Sequence, residues 1–202
     1  MKIGFYGGSF DPFHLGHLNM AIEIKERAEL DEIWFCPAFI SPDKQRQPIL
    51  GTLRLEMIRL AIEEVSGFKV IDDELKREEI SYTVETLQAL KEGYPEHQFF
   101  LLLGEDSLTN FSNWRSPQKI LELATPLIGS RSSYFLPTHL KWSEEEYQCF
   151  SKGWIKIPLF EISSTVIRHR LKQRLYCGHL LPRKVLDFII KNELYLNNYE
   201  RF

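Results

Sequence analysis

Residues 2–17 read Lys2-Ile-Gly-Phe-Tyr-Gly-Gly-Ser-Phe-Asp-Pro-Phe-His-Leu-Gly-His17, and this stretch decides the fold. The apolar run Ile3 to Tyr6 reads as a strand. It breaks at Gly7-Gly8, and a helical pattern begins near Gly16 and runs to about Leu30, with Leu18, Ala21 and Ile22 on one face. Strand, glycine turn, helix is the local architecture of a phosphate site. Paired glycines let backbone approach a ligand, and the helix start offers unpaired N–H groups and a positive dipole end. His14 and His17 fall where that helix begins. Imidazole N–H groups there can donate to phosphate and share negative charge as it builds on a reacting phosphorus. Two histidines three apart also suit a partial metal site, but zinc takes three or four ligands. The sequence supplies no CxxC or second histidine cluster to complete one.

Working outward, strands and helices alternate. Glu32 to Pro37 is a second strand, ended by proline, and is followed by a long polar loop from Ala38 to Gly51. Loops of that length at strand ends commonly grip substrate. A helix follows from Thr52, its expected N-cap, with Leu53, Met57, Leu60 and Ala61 at helical spacing. Phe68 to Ile71 is a third strand, and the acids of Asp72 to Ile80 read as mostly surface. Ser81 to Thr86 opens a helix that Gly93-Tyr-Pro95 stops. Gln98 to Leu103, apolar at nearly every position, reads as a strand buried on both faces, as in a parallel sheet. Ser116-Pro117 starts another helix, Pro126 to Gly129 is a fifth strand, and Ile155 to Pro158 a sixth. An acidic helical piece, Ser143 to Cys149, lies between those two strands, and helices over about Ser164 to Tyr176 and Pro182 to Asn192 close the chain.

This alternation predicts an α/β, Rossmann-like doubly wound parallel sheet with right-handed crossovers, helices on both faces and a C-terminal helix pair. The expected domain is single, 1–202, with residues 161–202 as its helical C-terminal part. In such sheets ligands bind beyond the carboxyl ends of the strands, near the point where strand order reverses. The loops Gly7 to His17, Ser41 to Lys44 and Gly104 to Trp114 should therefore open on one crevice. With 202 residues and a net charge of −3, the chain can bury a sizeable core but lacks the basic excess of a nucleic-acid binder. No apolar run approaches membrane-spanning length and the N-terminus opens into a strand, so neither a membrane segment nor a signal sequence is expected. Cys36, Cys149 and Cys177 are odd in number and far apart, which fits reduced thiols and a cytoplasmic setting.

The segment GGSFDPFHLGH resembles the nucleotidyltransferase pattern GxFxPxHxGH, with Gly8, Phe10, Pro12, His14, Gly16 and His17 at the matching places. The resemblance continues through the Pro-Asp-Lys44 loop, Arg54-Leu-Glu-Met57, ELKREEISYTVETL, LLLGEDSLTNFSNW, IGSRSSY and ISSTVIRHRL. Taken together the chain is similar to the bacterial nicotinate-nucleotide adenylyltransferase family. The first and last motifs mark the nucleotidyltransferase superfamily, while SYTVETL with GEDS and Trp114 favours this family within it. The resemblance implies adenylyl transfer from ATP to nicotinate mononucleotide, giving nicotinate adenine dinucleotide and pyrophosphate, in NAD biosynthesis.

The nucleophile of such a reaction is already a phosphate anion, so catalysis reduces to positioning and charge stabilisation. His14, His17, Lys44 and Arg168 are the expected catalytic residues, and Gly7, Gly8, Ser9 and Phe10 should line the ATP site beside the two histidines. Ile162, Ser163, Ser164 and Thr165 with Arg168 read as a second anion site at a helix start. The hydroxyls can cap the helix or donate to phosphate, and the guanidinium offers a planar fork. By resemblance this segment binds the β- and γ-phosphates. The nicotinate nucleotide is expected on Ser81, Tyr82, Thr83, Thr86, Gly104, Asp106, Trp114 and Arg131. A helix N-terminus suits the carboxylate there, and an indole face the pyridine ring. Mg²⁺ is expected as a companion of ATP, without a dedicated protein site.

Two departures from the family pattern stand out. Asp43 occupies the place of a histidine before Lys44, and Ser132-Ser133 replaces Pro-Gly after Arg131. Phosphopantetheine adenylyltransferases and small-phosphoalcohol cytidylyltransferases would share the first and last motifs but have no need of SYTVETL or Trp114. A non-catalytic nucleotide sensor would be expected to lose His17 or Arg168, and both are present. A tRNA-charging enzyme would need more room and a basic surface. Oligomeric state is left open, a homo-oligomer included.

Overall fold

A computed structural model describes residues 1–42, 48–130, 142–158 and 160–196. Six strands form one sheet: β1 (Lys2–Gly8), β2 (Glu32–Pro37), β3 (Phe68–Val70), β4 (Gln98–Gly104), β5 (Thr125–Ser130) and β6 (Trp154–Lys156). Their order is β3-β2-β1-β4-β5-β6, and every neighbouring pair is parallel. After β3 the chain returns across the sheet to place β4 beside β1, so the order reverses at the β1/β4 boundary. The loops leaving β1 and β4 diverge there and open the crevice where ligands bind in doubly wound sheets.

The strands alternate between two cores, because successive side chains on a strand point to opposite faces. Ile3, Phe5, Trp34, Cys36, Leu101 and Leu103 meet one set of helices: α4 (Thr83–Gly93), α5 (Glu105–Leu108), α6 (Pro117–Leu123) and α7 (Glu144–Lys152). Tyr6, Ile33, Phe35, Leu102 and Leu127 meet the other: α1 (Leu15–Arg27), α2 (Gly51–Ile62), α8 (Ser164–Lys172) and α9 (Arg183–Lys191). The two closing helices thus pack on the same face as the helix that follows the first glycine turn.

Local readings are adjusted in several places. β1 continues through Gly7 and Gly8, which pair with Cys36 and Pro37, so the turn begins at Ser9 rather than at the glycines. Thr52 is not a cap; α2 starts at Gly51 with Leu50 at the N-cap and no side-chain cap bond. The acidic stretch after β3 folds into a short helix, α3 (Asp73–Arg77), and buries Glu74 to 4% exposure. The segment after β4 is helical over α5 and then forms a 3-10 turn over Phe111–Asn113, where an open loop was expected. Helix α8 stops at Lys172, well short of Tyr176, as Arg174 takes a φ of 57°.

Candidate active site

Helix α1 begins in an unusual way. His14 is its N-cap, with extended backbone, and its Nδ1 accepts the His17 N–H at 3.3 Å. In return the His17 Nδ1 accepts the His14 N–H at 3.2 Å. This is the reciprocal logic of a capping box, carried out by two imidazoles. With both Nδ1 atoms accepting, each neutral ring carries its proton on Nε2, at the opposite ring edge. His14 is 5% exposed, and burial pulls its pKa from 6.5 down to about 4. It therefore works as a neutral hydrogen-bond donor near neutral pH.

The walls around this pair are aromatic. Phe10, Phe13 and Tyr6 surround His17, with ring centroids at 5.0, 5.3 and 6.1 Å. Phe10 adopts a φ of 48°, a conformation that bulky residues avoid and that the surrounding packing must hold. The residue is 2% exposed. Phe10, expected to line the ATP site, is therefore buried and supports His17. Gly16 has a steric reason. A Cβ there would come within 3.1 Å of the His14 ring and 3.5 Å of Ile162, so the glycine makes room for the histidine.

The second anion motif docks on this same turn, more than 150 residues away in sequence. Ser164 donates to the Pro12 carbonyl at 3.0 Å, and Arg168 to the Asp11 carbonyl at 2.6 Å and to the Thr165 hydroxyl at 3.1 Å. Ser163 caps α8 by accepting from the Val166 N–H. Ser163 and Thr165 are exposed beside it, Ile162 lies against Gly16, and so the first and last motifs form one continuous surface. At the crevice side, Asp106 is exposed and folds back on Gly104 at the end of β4. Its charge, second to burial, raises the Tyr6 phenol.

Of the residues expected to hold the second nucleotide, Tyr82, Thr83 and Trp114 are half-buried around the start of α4. Trp114 packs on Phe111 at 5.3 Å, and its neighbour Arg115 stacks over the Tyr82 ring at 4.6 Å while pairing with Glu85. Thr86 and Ser81 require correction as side-chain contacts. Thr86 is fully buried and its hydroxyl is shared between Glu74 and Arg77. The Ser81 hydroxyl accepts from the Phe39 N–H and lies by Glu74, whose charged form it favours. Both residues hold the helix start from within. Lys44 and Arg131, like the departures Asp43 and Ser132-Ser133, lie outside the described residues. A cleft of about 460 Å³ opens beside α4 between Ile40, Ile80, Tyr82, Arg115 and three carboxylates, Glu78, Glu79 and Glu85. Its acidic rim is unsuited to a phosphate.

Sequence reasoning gave no role to Arg54, Asp11 and Tyr195. Arg54, 1% exposed, donates to the carbonyls of Ser9, Phe39 and Ile49. Asp11 accepts from the Tyr195 hydroxyl at 2.7 Å. Among the described residues no group of three or more His, Cys, Asp or Glu is gathered to hold a metal ion, and no helix is long and apolar enough to cross a membrane.

This geometry agrees with known proteins. The family described as cytidylyltransferase-like matches residues 5–170. A Bacillus subtilis protein named nicotinate-nucleotide adenylyltransferase is 37% identical over 195 residues, covering 96% of this chain and 98% of the relative. The chain belongs to the nicotinate-nucleotide adenylyltransferase family. An Oceanobacillus iheyensis protein, named "Probable nicotinate-nucleotide adenylyltransferase", is 38% identical over 194 residues and 96% of both chains. Among solved structures, a Plasmodium falciparum nicotinic acid mononucleotide adenylyltransferase complexed with NaAD superposes with a TM-score of 0.74. It is 26% identical, covering 96% of this chain and 97% of that one.

Proposed function

We infer that this chain transfers the adenylyl group of ATP to nicotinate mononucleotide, forming nicotinate adenine dinucleotide and releasing pyrophosphate. The observation that carries the mechanism is the docking of α8 on the turn that begins α1. It brings the paired imidazoles and the hydroxyl- and guanidinium-bearing helix start to one surface. A phosphate oxygen of the mononucleotide attacks the α-phosphorus as the bond to pyrophosphate breaks. No proton has to leave the nucleophile, so the protein's task is alignment and charge stabilisation.

In this reading the Nε2–H groups of His14 and His17 donate to oxygens of the α-phosphate region. Gly7, Gly8 and the Ser9 backbone let the nucleotide lie close to the end of β1. The N–H groups of the first turn of α8, with Ser163, Thr165 and Arg168, receive the β- and γ-phosphates that leave. Lys44 is proposed as a further cation on the triphosphate. Mg²⁺ is proposed as a companion of ATP, bound by phosphate oxygens and water rather than by a dedicated protein site, and would supply charge neutralisation to the pyrophosphate.

The nicotinate carboxylate is proposed to meet the first-turn N–H groups of α4, at Thr83, with the pyridine ring against Trp114. Asp106 is proposed to accept from a ribose hydroxyl, and Arg131 to close the pocket. The test is pyrophosphate release from ATP and Mg²⁺ with nicotinate mononucleotide, nicotinamide mononucleotide and phosphopantetheine offered separately. Release with the first far above the second supports the carboxylate site. Equal rates with acid and amide would remove it, and turnover of phosphopantetheine alone would overturn the substrate assignment.

A further inference from the structure

Several buried polar side chains take no part in the mechanism above, and they form one connected chain. It starts at the turn after β1, where the guanidinium of Arg54 donates to the Ser9 carbonyl at 2.8 Å. The same guanidinium donates to the Ile49 carbonyl at 2.9 Å and the Phe39 carbonyl at 3.3 Å. The Phe39 N–H then donates to the Ser81 hydroxyl at 2.9 Å, and that hydroxyl lies by the Glu74 carboxylate, whose charged form it favours. Glu74 also accepts from the Thr86 hydroxyl at 2.7 Å, which in turn accepts from Arg77. Arg54, Ser81, Glu74 and Thr86 are 1%, 8%, 4% and 0% exposed. These four side chains are buried, while Phe39 and Arg77 beside them are half-buried.

Its two ends are the segments given to the two substrates. One end holds the backbone of Ser9, beside the ATP phosphates. The other holds the first turn of α4, where the nicotinate nucleotide is placed. We propose that Arg54 and Glu74 are positioning residues that fix the separation between the two substrate half-sites. This rests on the substrate placement given under the proposed function.

The chemistry of the two side chains suits that task. A planar guanidinium can bond three carbonyls in fixed directions at once, which an ammonium on a flexible stem cannot do. A carboxylate is an acceptor only, so it can gather two hydroxyls from neighbouring turns without competing for their acceptor sites. Within a dry interior such bonds are strong and an error in one leaves a buried group unsatisfied. The reaction needs its nucleophilic oxygen and phosphorus about 3–3.5 Å apart, and a misplacement of about 1 Å can cost about a hundredfold. Each half-site can bind its own ligand without the chain. Only the encounter between the ligands needs it.

The experiment compares the full chain with its Glu74→Ala, Glu74→Gln and Arg54→Lys variants. Steady-state turnover with ATP and nicotinate mononucleotide is measured beside the calorimetric affinity for each substrate alone. Glu74→Ala and Arg54→Lys are expected to lower kcat about tenfold or more, with each separate dissociation constant changed by less than about threefold. Glu74→Gln keeps an acceptor oxygen and is expected to recover most of the rate. Unchanged kcat in these folded variants, or losses that appear wholly as weaker binding of both substrates, would overturn the proposal. If Glu74→Ala does not fold, Ser81→Ala, which deletes one oxygen at the middle of the chain, decides by the same criteria. Failure of the substrate placement would show differently: wild-type protein would turn over while Trp114→Ala left the affinity for the mononucleotide unchanged.

Discussion

The imidazole of His14 lies against that of His17, with ring centroids 3.6 Å apart and planes inclined by 16°. Each ring's Nδ1 is held by the other residue's backbone N–H. The helix start thus sets the tautomer of both rings before any ligand arrives, and no reorganisation is needed when charge develops. Replacing His17 by alanine removes one of these donors and half of the cap. Loss of the cap should cost about 1 kcal/mol of stability. Loss of a preorganised donor should lower turnover by about a hundredfold or more. Pyrophosphate release and thermal melting of His17→Ala check the two parts. A folded variant with near-normal turnover would remove His17 from the mechanism.

Burial of His14 also sets an acid-side limit on stability. Its pKa falls from 6.5 to about 4 because the charged ring would be desolvated. Between those values the unfolded chain binds a proton that the folded chain does not, so stability falls as pH drops through this window. Above about 6.5 the contribution is complete, and below about 4 it is spent. The gap is worth on the order of 3 kcal/mol. Denaturant unfolding at pH 7 and pH 4 should show wild type losing about that much more stability than His14→Asn. The asparagine keeps a capping acceptor without titrating. Parallel losses in the two proteins would contradict the depressed pKa.

The sequence made the frame legible where local chemistry and long-range packing agree. β2 falls on Glu32–Pro37 as read, because a proline ends an apolar run that both cores bury. Arg54 was legible too, had its position been weighed: it shares the buried stripe of α2 with Met57, Ile58 and Ala61, where an arginine must have internal partners. Glu74 left no such trace. It sits in a helix of a single turn, too short for periodicity, and is buried through tertiary contacts with β2 and with Thr86 of α4. Ser81 and Thr86 look like ligand hydroxyls in sequence because nothing local reveals that Glu74 occupies them. The cap formed by His14 was hidden for another reason. Histidine is not among the residues that usually cap helices, and its role here depends on a second histidine three positions on.

Gly16 tests the packing of the histidine pair. An added Cβ would press on the His14 ring at 3.1 Å, with the Ile162 Cβ at 3.5 Å on its other side. Alanine also raises helix propensity by up to about 1 kcal/mol, which offsets part of the strain. Gly16→Ala should therefore change stability by no more than about 1 kcal/mol while lowering kcat about tenfold or more through displacement of His14. Circular dichroism melts and initial rates measured on one preparation separate the two effects. Full activity would mean that the ring can shift without consequence.

Tyr195 reaches back across nearly the whole chain to the turn that carries the first motif. Its hydroxyl donates to Asp11 Oδ1 at 2.7 Å, and Asp11 is 5% exposed. The carbonyl of the same aspartate accepts from Arg168 at 2.6 Å, so the bond supports the residue on which α8 rests. Tyr195→Phe keeps the ring against the core and deletes only the donor. Loss of a hydrogen bond to a buried carboxylate should cost about 1–2 kcal/mol, or roughly 3–6 °C in Tm for a chain of this size. A looser Asp11 should weaken ATP more than nicotinate mononucleotide, because Arg168 and Ser164 both hold the same turn. Kinetics at fixed saturating concentrations of each partner substrate measure this split. Equal changes in the two KM values would make Tyr195 a matter of stability alone, and an unchanged Tm would show that Asp11 does not depend on it.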